Sequence, residues 1–288
     1  MKLIETHIVP AGVKDIRLQE YAVSIFQAAP TKSSIKKAIK RGEIKIDGKA
    51  ANTGDWIIEG QKIELFQQEA PQKVFNLKLE VLFEDEHIAV INKPAGYPTS
   101  GNYFKTITNA LQYNLKVSTA PTALSSPQPA HRLDNPTSGL LLIAKTGDSL
   151  RKLHSDFKEK RIEKIYTALV DGKFPNRKRL QDNIGGKYSE TEISLIRSFR
   201  FKGNDYSLVN ATPKTGRTHQ IRIHLAQAGF PIVGDKLYGK GKSSGNLKGL
   251  FLVATSLKFE HPVTQKSLDI AVTLPKRFIK ILEQEGLT

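Results

Sequence analysis

His131, Arg132 and Asp134 sit within one tetrapeptide of "HRLDNPTSGLLLIAKT" (131–146), just ahead of a wholly apolar run. In an extended chain alternate side chains share a side, so Arg132 and Asp134 point one way and Leu133 points into the core. Asn135 precedes Pro136, which keeps it out of helical conformation. The chain must then turn before the apolar run enters a sheet. Asp134 is therefore expected on a rigid ledge, the support a reacting group needs. On these residues alone, an ordinary Asp-Asn-Pro turn with its carboxylate bonded to nearby amides is the alternative.

Two further stretches bear on the same chemistry. "KTGRTHQIRIHLAQAGFPIVGDKLYG" (214–239) contains a short helix. Thr218 is placed to cap it, Ile221, Leu225 and Ala228 face inward, and Gly229 then Pro231 end it. Arg217, His219 and Arg222 remain polar near its first turns. A helix start rich in cations and free amides favours an anion, whether phosphate or carboxylate. A surface salt bridge is the alternative for Arg222. "FKEKRIEKIYTALV" (157–170) places Tyr166 in a short apolar strand, where a phenol needs a partner or is simply a core tyrosine. His219 and His224 are five apart, which does not stack them on one helix face as zinc ligands. No metal site is expected.

These residues carry a family resemblance. The chain resembles the RluA-type RNA pseudouridine synthases through "HIAVINKPAG" (87–96), "HRLDNPTSGLLLIAK" (131–145), "FKEKRIEKIYTALV" (157–170), "GRTHQIRIHLAQAGFPIVGDKLYG" (216–239) and "LKFEHP" (257–262), in the family's order. The resemblance implies that Asp134 is the catalytic aspartate, Tyr166 the active-site tyrosine, Arg222 the arginine that pairs with the aspartate, and Arg132 the residue linked with nucleotide flipping. It implies isomerisation of uridine in structured RNA, with large-subunit ribosomal RNA expected and transfer RNA as the alternative. It also implies a catalytic domain with a central cleft. No cofactor is expected, because the reaction moves a base without net gain of atoms or electrons. The chain departs from the family in two places. After Gly96 it reads "YPTSGNYF", where members run apolar towards His-Pro, and it has Val253–Ala254 where many members have a histidine.

The elements that position these residues follow from pattern. Residues 15–66 read as the core of a small α/β module within 1–70. Leu18, Tyr21, Ala22 and Ile25 recur at helical spacing before Pro30. A second helix, capped by Ser33 or Ser34, turns Ile35, Ala38 and Ile39 inward, exits at Gly42 and leaves Lys36, Lys37, Lys40 and Arg41 on its other face. "EIKIDGKA" reads as a hairpin on Asp47-Gly48, and "QKIEL" as a further strand. This module resembles the small RNA-binding domain of a small-subunit ribosomal protein, which implies that the basic face meets RNA. A solvated face is the alternative. Residues 67–76 read as a linker and 77–288 as the catalytic domain, where strands succeed one another with few helices. That pattern means α+β with a mixed, largely antiparallel sheet.

Composition agrees with an RNA partner. The 288 residues carry 44 Lys+Arg against 28 Asp+Glu, a net charge of +16, which a polyanion explains most simply. The absence of cysteine excludes disulfides, thiolate catalysis and cysteine metal sites. Glu5 and Pro10 interrupt any secretory core, and no run is long enough to span a membrane. A soluble cytoplasmic monomer, with no membrane partner, is expected. The other classes weighed are a metal-dependent nuclease and a non-catalytic RNA-binding or ribosome-assembly protein.

Overall fold

The computed structural model describes residues 1–67, 74–239 and 247–284. Most of the expected linker and most of the Gly-Lys-rich loop at 239–249 lie outside them. The chain forms two compact units, Met1–Gln72 and Lys73–Thr288.

The first unit runs β1 (Lys2–Ile8), α1 (Leu18–Ile25), α2 (Lys32–Lys40), β2 (Ile44–Ile46), β3 (Lys49–Ala50) and β4 (Lys62–Gln67). Its antiparallel sheet has the order β1-β4-β2-β3. Leu18, Ala22, Ile35, Ile44 and Ile63 are fully buried between helices and sheet. Asp47 and Gly48 both take positive φ (50° and 79°), the turn that matches strand twist in a two-residue hairpin. Two details differ from the sequence reading. The α2 cap is Thr31, not Ser33 or Ser34. Thr31 Oγ1 accepts from the Ser34 amide, and Ser34 Oγ accepts from the Thr31 amide, so each side chain satisfies the other's orphan donor. β1 leaves little trace in the sequence pattern, because its side chains are mostly exposed and only backbone pairing with β4 defines it.

The second unit comprises β5 (Glu80–Glu84), β6 (Ile88–Lys93), α3 (Ile107–Asn114), β7 (Ala123–Pro129), β8 (Ser138–Thr146), α4 (Gly147–Lys158), β9 (Glu163–Asp171), β10 (Arg177–Ile184), β11 (Lys187–Phe201), β12 (Asn204–Pro213), α5 (Gln220–Gln227), β13 (Leu252–Glu260), β14 (Ser267–Ala271) and α6 (Lys276–Gln284). One sheet runs β10-β11-β12-β9-β13-β8-β6-β5, with β7 on β8 and β14 on β13. Only the short β13–β8 pairing is parallel among the described strands. The fold is α+β, with a mixed and mostly antiparallel sheet.

All nine residues of β8 are buried, and this explains its apolar run. Leu141 and Ile143 pack with Ile107 and Leu111 of α3 on one face, while Leu140, Leu142 and Ala144 pack with Leu153 of α4 on the other. A strand covered on both faces loses the usual alternation. Gly139 lets β8 meet β13: a Cβ there would stand 2.2 Å from the Ala254 carbonyl oxygen, and its φ of 111° excludes other residues without strain.

Candidate active site

Asp134 lies in the loop between β7 and β8. The flanking backbone is held at every step. Leu133 is buried, and its amide and carbonyl both bond Thr99 Oγ1 (3.1 and 3.0 Å). The Thr137 amide returns to the Asp134 carbonyl (3.1 Å), and the Gly96 amide reaches Asn135 (2.9 Å). Beneath the loop lies Lys93, with no exposed surface. Its Nζ donates to the carbonyls of Thr137 (2.8 Å), Pro94 (3.1 Å), Asp134 (3.3 Å) and Asn135 (3.3 Å). Burial lowers this ammonium to about 8, against the opposing pull of Asp134. The Asp134 carboxylate takes no backbone amide among the described residues and is thereby left for other work.

The elements opposite bring their groups to this carboxylate. Arg222, on α5 and buried, places Nη1 3.4 Å from Asp134 Oδ2. Its stronger partner is Asp235, which takes Nε and Nη2 at 2.7 Å each. Asp235 also accepts the amides of Leu237 (2.9 Å) and Tyr238 (3.2 Å). Asp235 thus fixes a guanidinium whose remaining edge faces Asp134. His219 Nε2 stands 3.8 Å from the same oxygen, while its Nδ1 shares a hydrogen bond with the Tyr238 hydroxyl (3.0 Å).

The helix start differs from the sequence reading. His219, not Thr218, occupies the N-cap position of α5, in the left-handed region (φ 57°) and without a side-chain cap. The preceding loop is knitted instead by Gln220. Its Oε1 accepts from Thr215 Oγ1 and the Arg217 amide, and its Nε2 donates to the Glu190 carbonyl and Thr191 Oγ1. His224 points the other way, buried against Ser189 and Thr191 of β11.

Tyr166 sits on β9 between β12 and β13, paired to Ala211 and Ala254. Its ring packs on two core clusters, and its hydroxyl makes no hydrogen bond among the described residues. Burial raises its pKa, and the charge of Asp134 adds to the rise; the phenol keeps its proton. Asp134, Tyr166, Arg222, Arg132, Arg217 and His219 all line one cleft of about 630 Å³. Arg132 is exposed at its mouth, and Arg217 Nε donates to the Tyr188 carbonyl (3.2 Å). Lys158, Lys160, Lys164 and Lys214 add positive charge to the walls, where Glu163 is the one other carboxylate among the described residues. Lys36, Lys37, Lys40 and Arg41 belong to the first unit and are exposed on α2 and at its end. Arg41 differs from the lysines in being engaged by Glu43, at 2.8 and 2.5 Å.

A phenol, an aspartate and a buried guanidinium around a basic cleft suit acid–base or nucleophilic work on a polyanionic substrate. Residues 87–227 match the family model described as RNA pseudouridylate synthase. The chain is 32% identical to the ribosomal large subunit pseudouridine synthase D of Borreliella burgdorferi, over 93% of this chain and 89% of that protein. It is 30% identical to the synthase C of Vibrio vulnificus, over 88% and 87%. This chain belongs to the RluA-type RNA pseudouridine synthase family. The solved human RNA pseudouridylate synthase domain containing 1 shares its fold, with a TM-score of 0.58 at 24% identity over 69% of this chain and 84% of that one.

The pseudouridine synthase is thus an RNA-modifying isomerase whose cleft depends on three residues that the sequence reading did not single out as supports. Asp235 lies in "VGDKLYG" and Lys93 in "NKPAG", both within quoted motifs, but neither reveals its partner from sequence. The third is His131. Its Nε2 accepts the Leu142 amide (3.0 Å), and its ring packs on Phe157 (4.8 Å). Burial pulls this imidazole from the ordinary 6.5 to about 3, with Lys164 adding to the fall. The unfolded chain therefore binds a proton between these values that the folded chain refuses, and stability is lost as pH falls through 6.5. His131→Gln, which keeps an acceptor but does not titrate, is expected to remove this loss, on the order of 2 kcal/mol between pH 6.5 and 5. Denaturant midpoints of the two proteins at both pH values check it; parallel losses would show that His131 is not the group responsible.

Proposed function

We propose that this enzyme converts specific uridines to pseudouridine in large-subunit ribosomal RNA, with Asp134 as nucleophile or base. It is proposed to act as a cytoplasmic monomer. The observation that carries the reading is the Asp134 carboxylate, unclaimed by any amide among the described residues and 3.4 Å from a guanidinium fixed by Asp235. The ribosomal target is supported by the printed names of the relatives.

In the reaction the bond between uracil N1 and the sugar breaks, the base turns, and C5 bonds to the sugar carbon. C5 gives up its hydrogen and N1 gains one, so the product is an isomer. A stacked base hides these atoms, so the nucleotide must be extruded, at a cost of a few kcal/mol. Arg132, exposed at the cleft mouth, fills the vacated space. Arg222 holds a positive charge 3.4 Å from Asp134 Oδ2, beside the reacting base. The Tyr166 ring lies under the uracil and assists proton transfer from the sugar or C5. The first unit adds phosphate contacts through Lys36, Lys37 and Lys40.

Mapping pseudouridines in cellular RNA with and without this protein tests the reading. Loss of sites in large-subunit ribosomal RNA is expected. Loss confined to transfer RNA moves the target, and no loss at all overturns the reading. Replacing Lys36, Lys37 and Lys40 together with alanine is expected to reduce the slope of log affinity against log salt by roughly two, because each phosphate contact releases counterions. An unchanged slope, measured by RNA binding across a salt series, would mean a merely solvated face.

A further inference from the structure

The stretch in which this chain departs from the family pattern, Tyr97 to Phe104, carries aromatic rings that the cleft does not use. Tyr103 is 72% exposed and Phe104 50%. Isolated exposed rings are ordinary on a surface, but Phe104 belongs to a connected ridge, and Tyr103 precedes it directly in the chain. Phe104 meets Phe75 edge-on, and Phe75 meets Tyr97, both at 5.7 Å between centroids. The Tyr103 ring lies over Gly101, where a Cβ would stand 3.5 Å from it. Phe75 and Tyr97 in turn pack on the core cluster that contains Leu133 and that also supports Tyr166. The ridge therefore grows from the same ground as the catalytic loop.

The ridge is also held. Asn109 Nδ2 donates to the carbonyls of Tyr103 (3.2 Å) and Phe104 (2.8 Å), and the Asn109 carbonyl accepts the Phe75 amide (2.8 Å). The amides of Ile107 and Thr108 return to Pro98 and Thr99 (3.0 Å each). Thr99 is the residue that brackets Leu133, one position before Asp134. Tyr103 lies four residues beyond Thr99, so its backbone is within about 14 Å of that anchor.

Resting on the reading of this protein as an RNA-modifying enzyme, we propose that Tyr103 and Phe104 form a platform on which an unpaired base close to the target uridine stacks. Aromatic rings bind bases by their faces, and a segment whose backbone is held before binding loses little freedom on doing so. Lys105, exposed beside them, and the net charge of +16 favour a nucleic-acid occupant over an apolar protein surface. Inside a duplex both faces of every base are covered, so the platform accepts a loop, bulge or single strand. The substrate class follows: a uridine flanked by unpaired nucleotides rather than one inside a continuous helix.

The test is binding of a labelled hairpin RNA with a uridine-containing loop, and of a matched full duplex, in an Asp134→Asn background where no isomerisation intervenes. Tyr103→Ala/Phe104→Ala is expected to weaken the hairpin roughly tenfold or more per ring and to leave the duplex unchanged. Tyr103→Trp is expected to retain hairpin affinity and to change its fluorescence on binding. In the otherwise unaltered enzyme the double alanine variant should raise KM and spare kcat. Unchanged hairpin affinity, or equal losses for hairpin and duplex, overturns the platform. Failure of the wild-type protein to modify any RNA, with selective hairpin binding intact, overturns the proposed reaction and leaves the platform standing.

Discussion

Asp134→Asn is expected to lower kcat on the order of 10⁴-fold or more while RNA affinity stays close to that of the wild type. The amide has the size of the carboxylate and keeps the same backbone grip, since Lys93, Thr99 and Thr137 hold the loop through main-chain atoms or Leu133. What disappears is one negative charge facing Nη1 of Arg222. Arg222 itself stays in place because Asp235 binds it bidentately. Release of the C5 hydrogen from 5-tritiated uridine RNA measures the loss, and a filter-binding titration measures affinity. Activity within about tenfold of wild type would remove Asp134 from the reaction. A matching fall in affinity would make it a folding or binding residue instead.

Arg222→Leu is expected to destabilise the protein by about 3–5 kcal/mol as well as to inactivate it. The stability loss exceeds what a surface ion pair gives, because the Asp235 side chain is only 1% exposed. Burial pushes the Asp235 carboxyl up, but the Arg222 guanidinium and the amides of Leu237 and Tyr238 outweigh this and hold its pKa below the ordinary range. The pair therefore stabilises the fold above the ordinary carboxylate range, and that contribution fades as pH falls through the depressed value. Without Arg222 the aspartate is stranded. Arg222→Leu/Asp235→Leu removes both charges and is expected to regain most of the stability while staying inactive. Denaturant midpoints and tritium release from the single and double variants separate the two effects. An active double variant would show that the guanidinium has no part in the chemistry, and a single variant as stable as wild type would show that Asp235 finds another partner.

Local patterns exposed much of this arrangement. The apolar run of β8, the turn at Asn135–Pro136 and the inward residues of α5 are short-range signals. They place Leu133 in the core and leave Asp134 outside it. The motif order carries the family, and the geometry gathers Asp134, Tyr166 and Arg222 into one cleft. What stayed hidden is long-range. Asp235 competes for Arg222 across 13 positions, and Lys93 reaches the Asp134 loop across 41 to 44. No spacing rule ties a lysine to backbone carbonyls so far along the chain. Thr31 lost to Ser33 and Ser34 as the expected cap because all three are good capping residues and only the backbone turn after Pro30 decides among them. His219, at the N-cap of α5 with φ 57°, leaves no sign of this in the sequence, since a non-glycine residue with positive φ carries no sequence mark.

The lysine under the Asp134 loop grips oxygens that every amino acid possesses. The side chain of Asn135 therefore has no part in that hold, and a substitution there is expected to leave its neighbour in place. Position 93 has no such liberty, because four peptide groups would lose their common donor at once. Mutation can thus alter the rim of this cleft while the ground under it stays fixed.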